Sequence, residues 1–414
     1  MTLQLKNFIA QNGERFSQLY ELNSNGFPLF YPTAYSTRNL RTGYAHNTQK
    51  EHLLAIKKLY EWAESCLQTS TGESLDIHER LVRQKFFTPY EIDALVSFVS
   101  VKRNSLDGEV LTGAKVNNQL TAIARYISWY AEEVITDSNK LEVQSSITKM
   151  SNMILAKKVR ESSRTRTAQK TLAKKLPDEA REKLLDLFNN PLKGVEKKAN
   201  FGSRIRNITE LRVLYDTGMR IGELHGLRLS DFQMAFGGEP ATLNVVRYHD
   251  DVNDDRVDQP VAKTLARPIP IDEELSSFIA NYIKNWRSKV PNVGFDDNDF
   301  LFVIHRKGSR QGKASTISSF NSGIETLKKH TPSLATLHPH LLRHDWNYRF
   351  SLKAKELGYN EKEEQSIREF LMGWVDNSQS AALYNRRRIQ EKAFELGVQV
   401  ASHTVTRKLN NGKC

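Results

Sequence analysis

A chain of 414 residues exceeds what one compact hydrophobic core usually supports, so two or more domains are expected. Its 60 Lys and Arg against 48 Asp and Glu leave a formal charge of +12, which favours a polyanionic partner such as nucleic acid without requiring one. With only Cys66 and Cys414, no spaced zinc cluster or disulfide framework is encoded, the first ten residues lack the make-up of a secretory signal, and no window approaches a membrane span; the reading is a cytoplasmic protein.

Phe16 to Leu40 sets Gly26, Pro28 and Pro32 among Tyr20, Phe27, Phe30, Tyr31 and Tyr35, which suits an irregular arm rather than a regular helix, and residues 1–45 are read as an N-terminal arm. From Asn47 the spacing of Leu54, Leu59, Trp62, Ala63 and Cys66 predicts a helix. Thr88, Pro89 and Glu91 supply the cap, first-turn proline and third-position acid that open a second helix through Ile92, Leu95, Val96 and Val99. Val116, Leu120, Ile123, Ile127 and Tyr130 form a third apolar stripe, so residues 46–156 read as a helical bundle.

Residues 157–176 carry the densest basic run, with Lys157, Lys158, Arg160, Arg164, Arg166 and Lys170 against the single acid Glu161. Such a run suits either a solvated hinge or a linker that tracks a DNA backbone, where each neutralised phosphate releases counterions. Beyond Pro177 the pattern is mixed: helices around Leu184–Phe188 and Ile205–Tyr215, short strands near Leu243–Tyr248 and Pro268–Ile271, and a clean amphipathic stripe of Leu275, Phe278, Ile279, Tyr282, Ile283 and Trp286. The fold class expected is mostly α with a small β-sheet, a helical N-terminal domain followed by an α+β domain over residues 177–414.

Three clusters in the second part carry chemistry. Arg220, Glu223 and Leu224 follow the helix-ending Gly218, so that Arg220 falls in a first turn where its forked guanidinium can grip an anion. His340 and Arg343, three apart on a helix opening near Pro339, can address the same group, while His338 and His344 read as hydrogen-bonded packing residues. Gly373-Trp374 and, ten residues on, Tyr384 in Ala382-Leu383-Tyr384-Asn385-Arg386 complete the set.

In this order the clusters resemble the tyrosine recombinases, the family of phage integrases, Cre-like recombinases and Xer enzymes, over roughly Pro177 to the C-terminus. There the succession is Arg-x-x-Glu-Leu, a hairpin lysine, His-x-x-Arg, Gly-His or Gly-Trp, and Tyr. The resemblance implies a helical, SAM-like core-DNA-binding domain ahead of the catalytic domain, and a site built from Arg220, Lys263, His340, Arg343, Trp374 and Tyr384, with Glu223 supporting Arg220. Lys263 is read from Lys263-Thr264 just before a strand, with Lys307 and Lys313 as competing candidates. Trp374 stands where many relatives have a second histidine, and its interval to Tyr384 is one residue longer than usual.

What the resemblance implies is DNA cleavage and rejoining through a 3′-phosphotyrosine, with neither metal nor cofactor. The partner would be double-stranded DNA bearing a specific recombination site, engaged by a homotetramer on two duplexes with possible accessory bending or directionality proteins, for a mobile element. Competing readings are a catalytically idle DNA-binding relative, a type IB topoisomerase-like enzyme, and a basic RNA-binding scaffold that would give Tyr384 no role.

Overall fold

The computed structural model describes residues 3–22, 26–67, 76–102, 108–159 and 175–375, with 378, 393, 396 and 398–400. The chain divides into two compact units, Met1–Ser163 together with Asp250–Asp258, and Arg164–His249 together with Gln259–Cys414.

The first unit opens with an antiparallel hairpin of β1 (Leu3–Ile9) and β2 (Arg15–Glu21), followed by the short helix α1 (Phe30–Tyr35). The expected irregular arm is therefore corrected to regular structure. Along β2 the inward positions are Arg15, Ser17 and Leu19, two polar residues and one apolar, so the alternation that marks a half-buried strand is hidden from a hydrophobicity pattern.

Helices α2 (His46–Leu67), α3 (Ile77–Val82), α4 (Pro89–Ser100), α5 (Gly113–Val134) and α6 (Leu141–Ala156) complete the bundle. On α2 the buried face runs through Leu53, Ile56, Leu59 and Trp62, whereas Leu54 faces solvent, one position off the expected stripe. The capping box at α4 is present as read, with the Thr88 side chain accepting from the Glu91 N–H and Glu91 accepting from the Thr88 N–H. Every residue of the α5 stripe, Val116 through Tyr130, is buried.

In the second unit α7 (Asp178–Asn189) and α8 (Phe201–Thr217) precede the short α9 (Ile221–Leu224) and a three-stranded antiparallel sheet, β3 (Phe232–Gln233), β4 (Ala241–Val245) and β5 (Arg267–Ile271), in the order β3-β4-β5. Pro268 and Pro270 lie on β5, an edge strand, where a missing N–H breaks no ladder. The strand expected to reach Tyr248 stops at Val245, after which the chain leaves for the first unit at Asp250. Helices α10 (Glu273–Asn285), α11 (Ile317–His330), α12 (Pro339–Glu356) and α13 (Glu361–Met372) follow.

Helix α8 is buried around much of its circumference, polar residues included, and contacts α10, α11 and α12. Glu210 on it is fully buried, reached by the Ser315 hydroxyl at 3.2 Å and by Arg206 at 3.6 Å. Burial pushes its carboxyl up to about 7, against the opposing pull of Arg206 and Ser315. A raised folded-state pKa gives stability that is full below the unfolded value and is lost as pH rises through about 7. Glu210→Gln should remove this dependence, so the mutant should gain on the parent between pH 5 and 8 by up to roughly 3 kcal/mol, at ~1.4 kcal/mol per pKa unit. Parallel denaturant titrations of the two proteins that stay equally spaced across that pH range would sink the assignment.

Candidate active site

Helix α8 ends at Gly218, whose φ of +63° is left-handed and whose N–H closes on Leu214. A Cβ there would also meet the Trp346 ring at 2.7 Å, so both conformation and space require glycine. Two residues on, Arg220 takes the N-cap position of α9 rather than its first turn. Its backbone N–H donates to Glu223 Oε2 at 3.0 Å and its Nη1 lies 3.4 Å from Oε1. Since α9 has only four residues it offers little helix dipole, and the charged group open to an anion at this turn is the Arg220 side chain, about a third exposed.

Glu223 is a buried hub. Arg267 Nη2 donates to its Oε2 at 3.0 Å and the Thr264 hydroxyl to its Oε1 at 2.6 Å. Burial alone would raise its pKa; the positive charges of Arg267 and Arg343, with the donors Thr264 and Arg220 N–H, outweigh it and hold the carboxyl below its usual range. Glu223 thus stays an anion whose oxygens are occupied by donors.

Through Thr264 the same hub fixes the segment that carries Lys263. Ala262 is buried, Lys263 is exposed, Thr264 is tied to Glu223, and the Leu265 N–H donates to the Gly373 carbonyl at 3.0 Å. Lys263 lies in the unpaired connection ahead of β5. The competing Lys307 and Lys313 are exposed on a separate turn closed by the Ile304 N–H on the Lys313 carbonyl at 2.9 Å.

Helix α12 begins with Pro339 at its first position, as expected, and His338 is its cap: Nδ1 accepts the Leu341 N–H at 3.1 Å. Arg343, only 2% exposed, reaches two carbonyls, donating from Nη1 to Gly218 at 2.8 Å and from Nη2 to Met372 at 3.3 Å. One guanidinium therefore joins the turn before Arg220 to the end of α13. His340, by contrast, is exposed, with its ring edge-to-face on buried His344 at 4.4 Å between centroids.

Helix α13 terminates at Gly373, also left-handed with φ +64°, and the Trp374 N–H closes on the Glu369 carbonyl at 2.9 Å. That closure lays the Trp374 ring, 8% exposed, 5.3 Å from the Arg343 guanidinium. Arg220, Lys263, Arg343 and Trp374 are thus joined through one chain of contacts. Tyr384 lies outside the described residues, as do Arg160, Arg164, Arg166 and Lys170. Of the basic run, Lys158 is half-buried, and Lys157 pairs with Asp93 rather than standing as a bare cation.

Three supporting residues escaped the sequence reading. Thr264 was visible only as the partner of Lys263 in a two-residue motif. Arg267 ties Glu223 to the α13 end by donating to the Leu371 carbonyl at 2.7 Å. Asp345, fully buried two positions beyond Arg343, accepts from the Leu176 N–H at 3.0 Å, Arg181 at 2.8 Å and Arg349 at 3.0 Å. Among the described residues no His, Cys, Asp and Glu group is placed to hold a metal ion, and no helix is long and apolar enough to cross a membrane.

Residues 174–387 match the sequence profile of the phage integrase family. The tyrosine recombinase XerD of Halalkalibacterium halodurans is 32% identical over 144 residues, covering 34% of this chain and 39% of that protein. The tyrosine recombinase XerD of Staphylococcus haemolyticus is 29% identical over 174 residues, 42% of this chain and 48% of that one. These matches span less than half the length of either relative. The crystal structure of the XerH site-specific recombinase bound to a palindromic difH substrate, a post-cleavage complex, aligns with a TM-score of 0.52 at 18% identity, covering 85% of this chain and 81% of that one, a likeness of fold.

Proposed function

The chain belongs to the phage integrase family, and from that premise we propose that it is a site-specific DNA recombinase that cuts and rejoins strands through Tyr384. The observation that carries this reading is the reach of Arg343, whose guanidinium takes the carbonyls of Gly218 and Met372 and so brings the Arg220 turn and Trp374 to one place.

A phosphodiester is anionic and repels nucleophiles, so its charge must be met before a phenol can attack. Arg220 and Arg343 bind the nonbridging oxygens and stabilise the charge added in the pentacovalent transition state. The Trp374 indole N–H donates a further hydrogen bond but exchanges no proton at neutral pH. The Tyr384 oxygen attacks phosphorus, its proton passes to His340, and the bond from phosphorus to the 5′ oxygen breaks as Lys263 protonates that oxygen. Glu223, kept anionic and engaged by donors, positions Arg220 and the Lys263 segment rather than acting as a base. The product is a 3′-phosphotyrosine, which retains the bond energy needed for a 5′ hydroxyl of another strand to reseal the DNA, so the scheme uses no metal or cofactor.

The partner in this scheme is duplex DNA with a defined recombination site, held by four copies of the chain on two duplexes, with accessory bending or directionality proteins, in the nucleoid. The basic residues Lys157, Lys158, Arg160, Arg164, Arg166 and Lys170 add affinity that is indifferent to sequence.

The test is a nicked suicide duplex, from which the short cleaved strand diffuses away and traps the intermediate. The expected product is a denaturation-resistant adduct whose peptide maps to Tyr384 joined to a 3′ phosphate. An adduct on another residue, or relaxation of supercoiled DNA lacking any specific site with equal efficiency, would reject the reading.

A further inference from the structure

Lys263 sits in a connection held on both sides within the second unit. Upstream, Ala262 is buried in the core, and the chain passes so close to α9 that a Cβ on Gly222 would lie 3.1 Å from the Val261 carbonyl oxygen. That contact sets the lysine against the helix that follows Arg220. Downstream comes Arg267, the first of three inward positions on β5, of which the other two are Ile269 and Ile271. An apolar residue would continue that face, and replacing a buried charge pair by apolar groups is often neutral for stability. The arginine is therefore explained by what it touches and not by packing.

Its guanidinium reaches four acceptors. Nη2 donates to Glu223 at 3.0 Å, Nη1 to the Thr264 hydroxyl oxygen at 3.1 Å and the Leu265 carbonyl at 3.3 Å, and Nε to the Leu371 carbonyl at 2.7 Å. Two of these belong to the residues that follow Lys263, and one lies at the end of α13 just before Trp374. Gly373 is part of the same joint: a Cβ there would stand 2.4 Å from Arg267 Nη1 and 2.9 Å from the Leu265 carbonyl oxygen. Space as well as the left-handed φ thus requires glycine at that position. The Leu265 N–H on the Gly373 carbonyl, at 3.0 Å, closes the joint from the backbone side.

We propose that Arg267 is a positioning residue: by clamping the Lys263 connection onto the end of α13, it sets where the ammonium stands relative to a phosphate held by Arg343 and Trp374, and so governs protonation of the leaving 5′ oxygen. This rests on the proposed role of Lys263. A residue that acts through the general acid differs from one that only supports the fold, because its loss is repaired when the leaving atom needs no proton. A 5′-bridging sulfur provides that substrate, since the bond from phosphorus breaks with its electron pair on a thiolate that departs unprotonated.

The experiment measures single-turnover cleavage of oxygen- and sulfur-bridged suicide duplexes by the full chain, by Arg267→Lys, by Lys263→Ala and by the double variant. Arg267→Lys keeps a cation for Glu223, but one ammonium cannot also take the Leu265 and Leu371 carbonyls. It should bind DNA like the parent in a gel shift, cut the oxygen substrate about tenfold to a hundredfold more slowly, and recover nearly full rates on sulfur. On oxygen the double variant should be no slower than Lys263→Ala alone, since two residues acting through one proton transfer do not multiply their losses. Parental rates of Arg267→Lys on oxygen, equal slowing on both substrates, or multiplied losses in the double variant would overturn the proposal. If Arg267→Lys does not fold, Thr264→Val takes its place, because it leaves the Glu223–Arg267 pair and the Leu371 bond intact; it must show the same loss confined to oxygen, or the proposal falls. Lys263→Ala separates the two levels: if it stays slow on sulfur, the reading of Lys263 itself fails, whereas a rescued Lys263→Ala beside an unrescued Arg267→Lys removes only the role of Arg267.

Discussion

Tyr384→Phe is expected to bind duplex DNA as tightly as the parent chain and to form no covalent DNA complex. The substitution deletes one oxygen, the atom to which the phosphate would be joined, and leaves the ring to fill its place. A phenol has a pKa of about 10, so at neutral pH it attacks only with a positive field at the phosphate and an acceptor for its proton, both supplied by other side chains. Those groups survive in the mutant, which is why binding should persist while the adduct falls to background. A denaturation-resistant DNA complex formed by Tyr384→Phe would move the nucleophile elsewhere.

Loss of either arginine should be nearly as severe for cleavage, but the two should part company in stability. Arg220 is about a third exposed, and its side chain reaches Glu223 Oε1 at 3.4 Å. Arg220→Ala should therefore lose cleavage by ~10²–10³-fold, the worth of one preorganised contact to developing charge, with little change in melting temperature. Arg343 is buried and joins two segments, so Arg343→Ala leaves the Gly218 and Met372 carbonyls without this donor. It should lose as much cleavage and in addition about 2–3 kcal/mol of folding stability. Arg343→Lys should not restore activity, because a single ammonium cannot span two carbonyls and still face a phosphate with a planar fork. Near-parental cleavage by either alanine variant would take that arginine out of the site.

How far the sequence reveals such a site depends on the range of the contacts that make it. Local signals were legible: the Thr88–Glu91 box, the α5 stripe, the Gly218 turn and the start of α12 at Pro339 all follow from residues within a few positions of one another. Motif order also singled out Arg220, Arg343 and Trp374, which the contacts of Arg343 bring into one neighbourhood. The hub was not, because Thr264 and Arg267 meet Glu223 across 41 and 44 positions, and neither a hydroxyl nor a strand arginine announces its partner. The hairpin of β1 and β2 escaped for another reason, since its buried face spends two of three positions on Arg15 and Ser17, which a hydropathy pattern counts as exterior.

The buried carboxylate of Asp345 gathers donors from three parts of the second unit. It accepts the Leu176 N–H and the guanidinium groups of Arg181 and Arg349, and it stands on the same helix as His340 and Arg343, two positions from the latter. Loss of that one carboxylate would therefore release three donors at once beside Arg343.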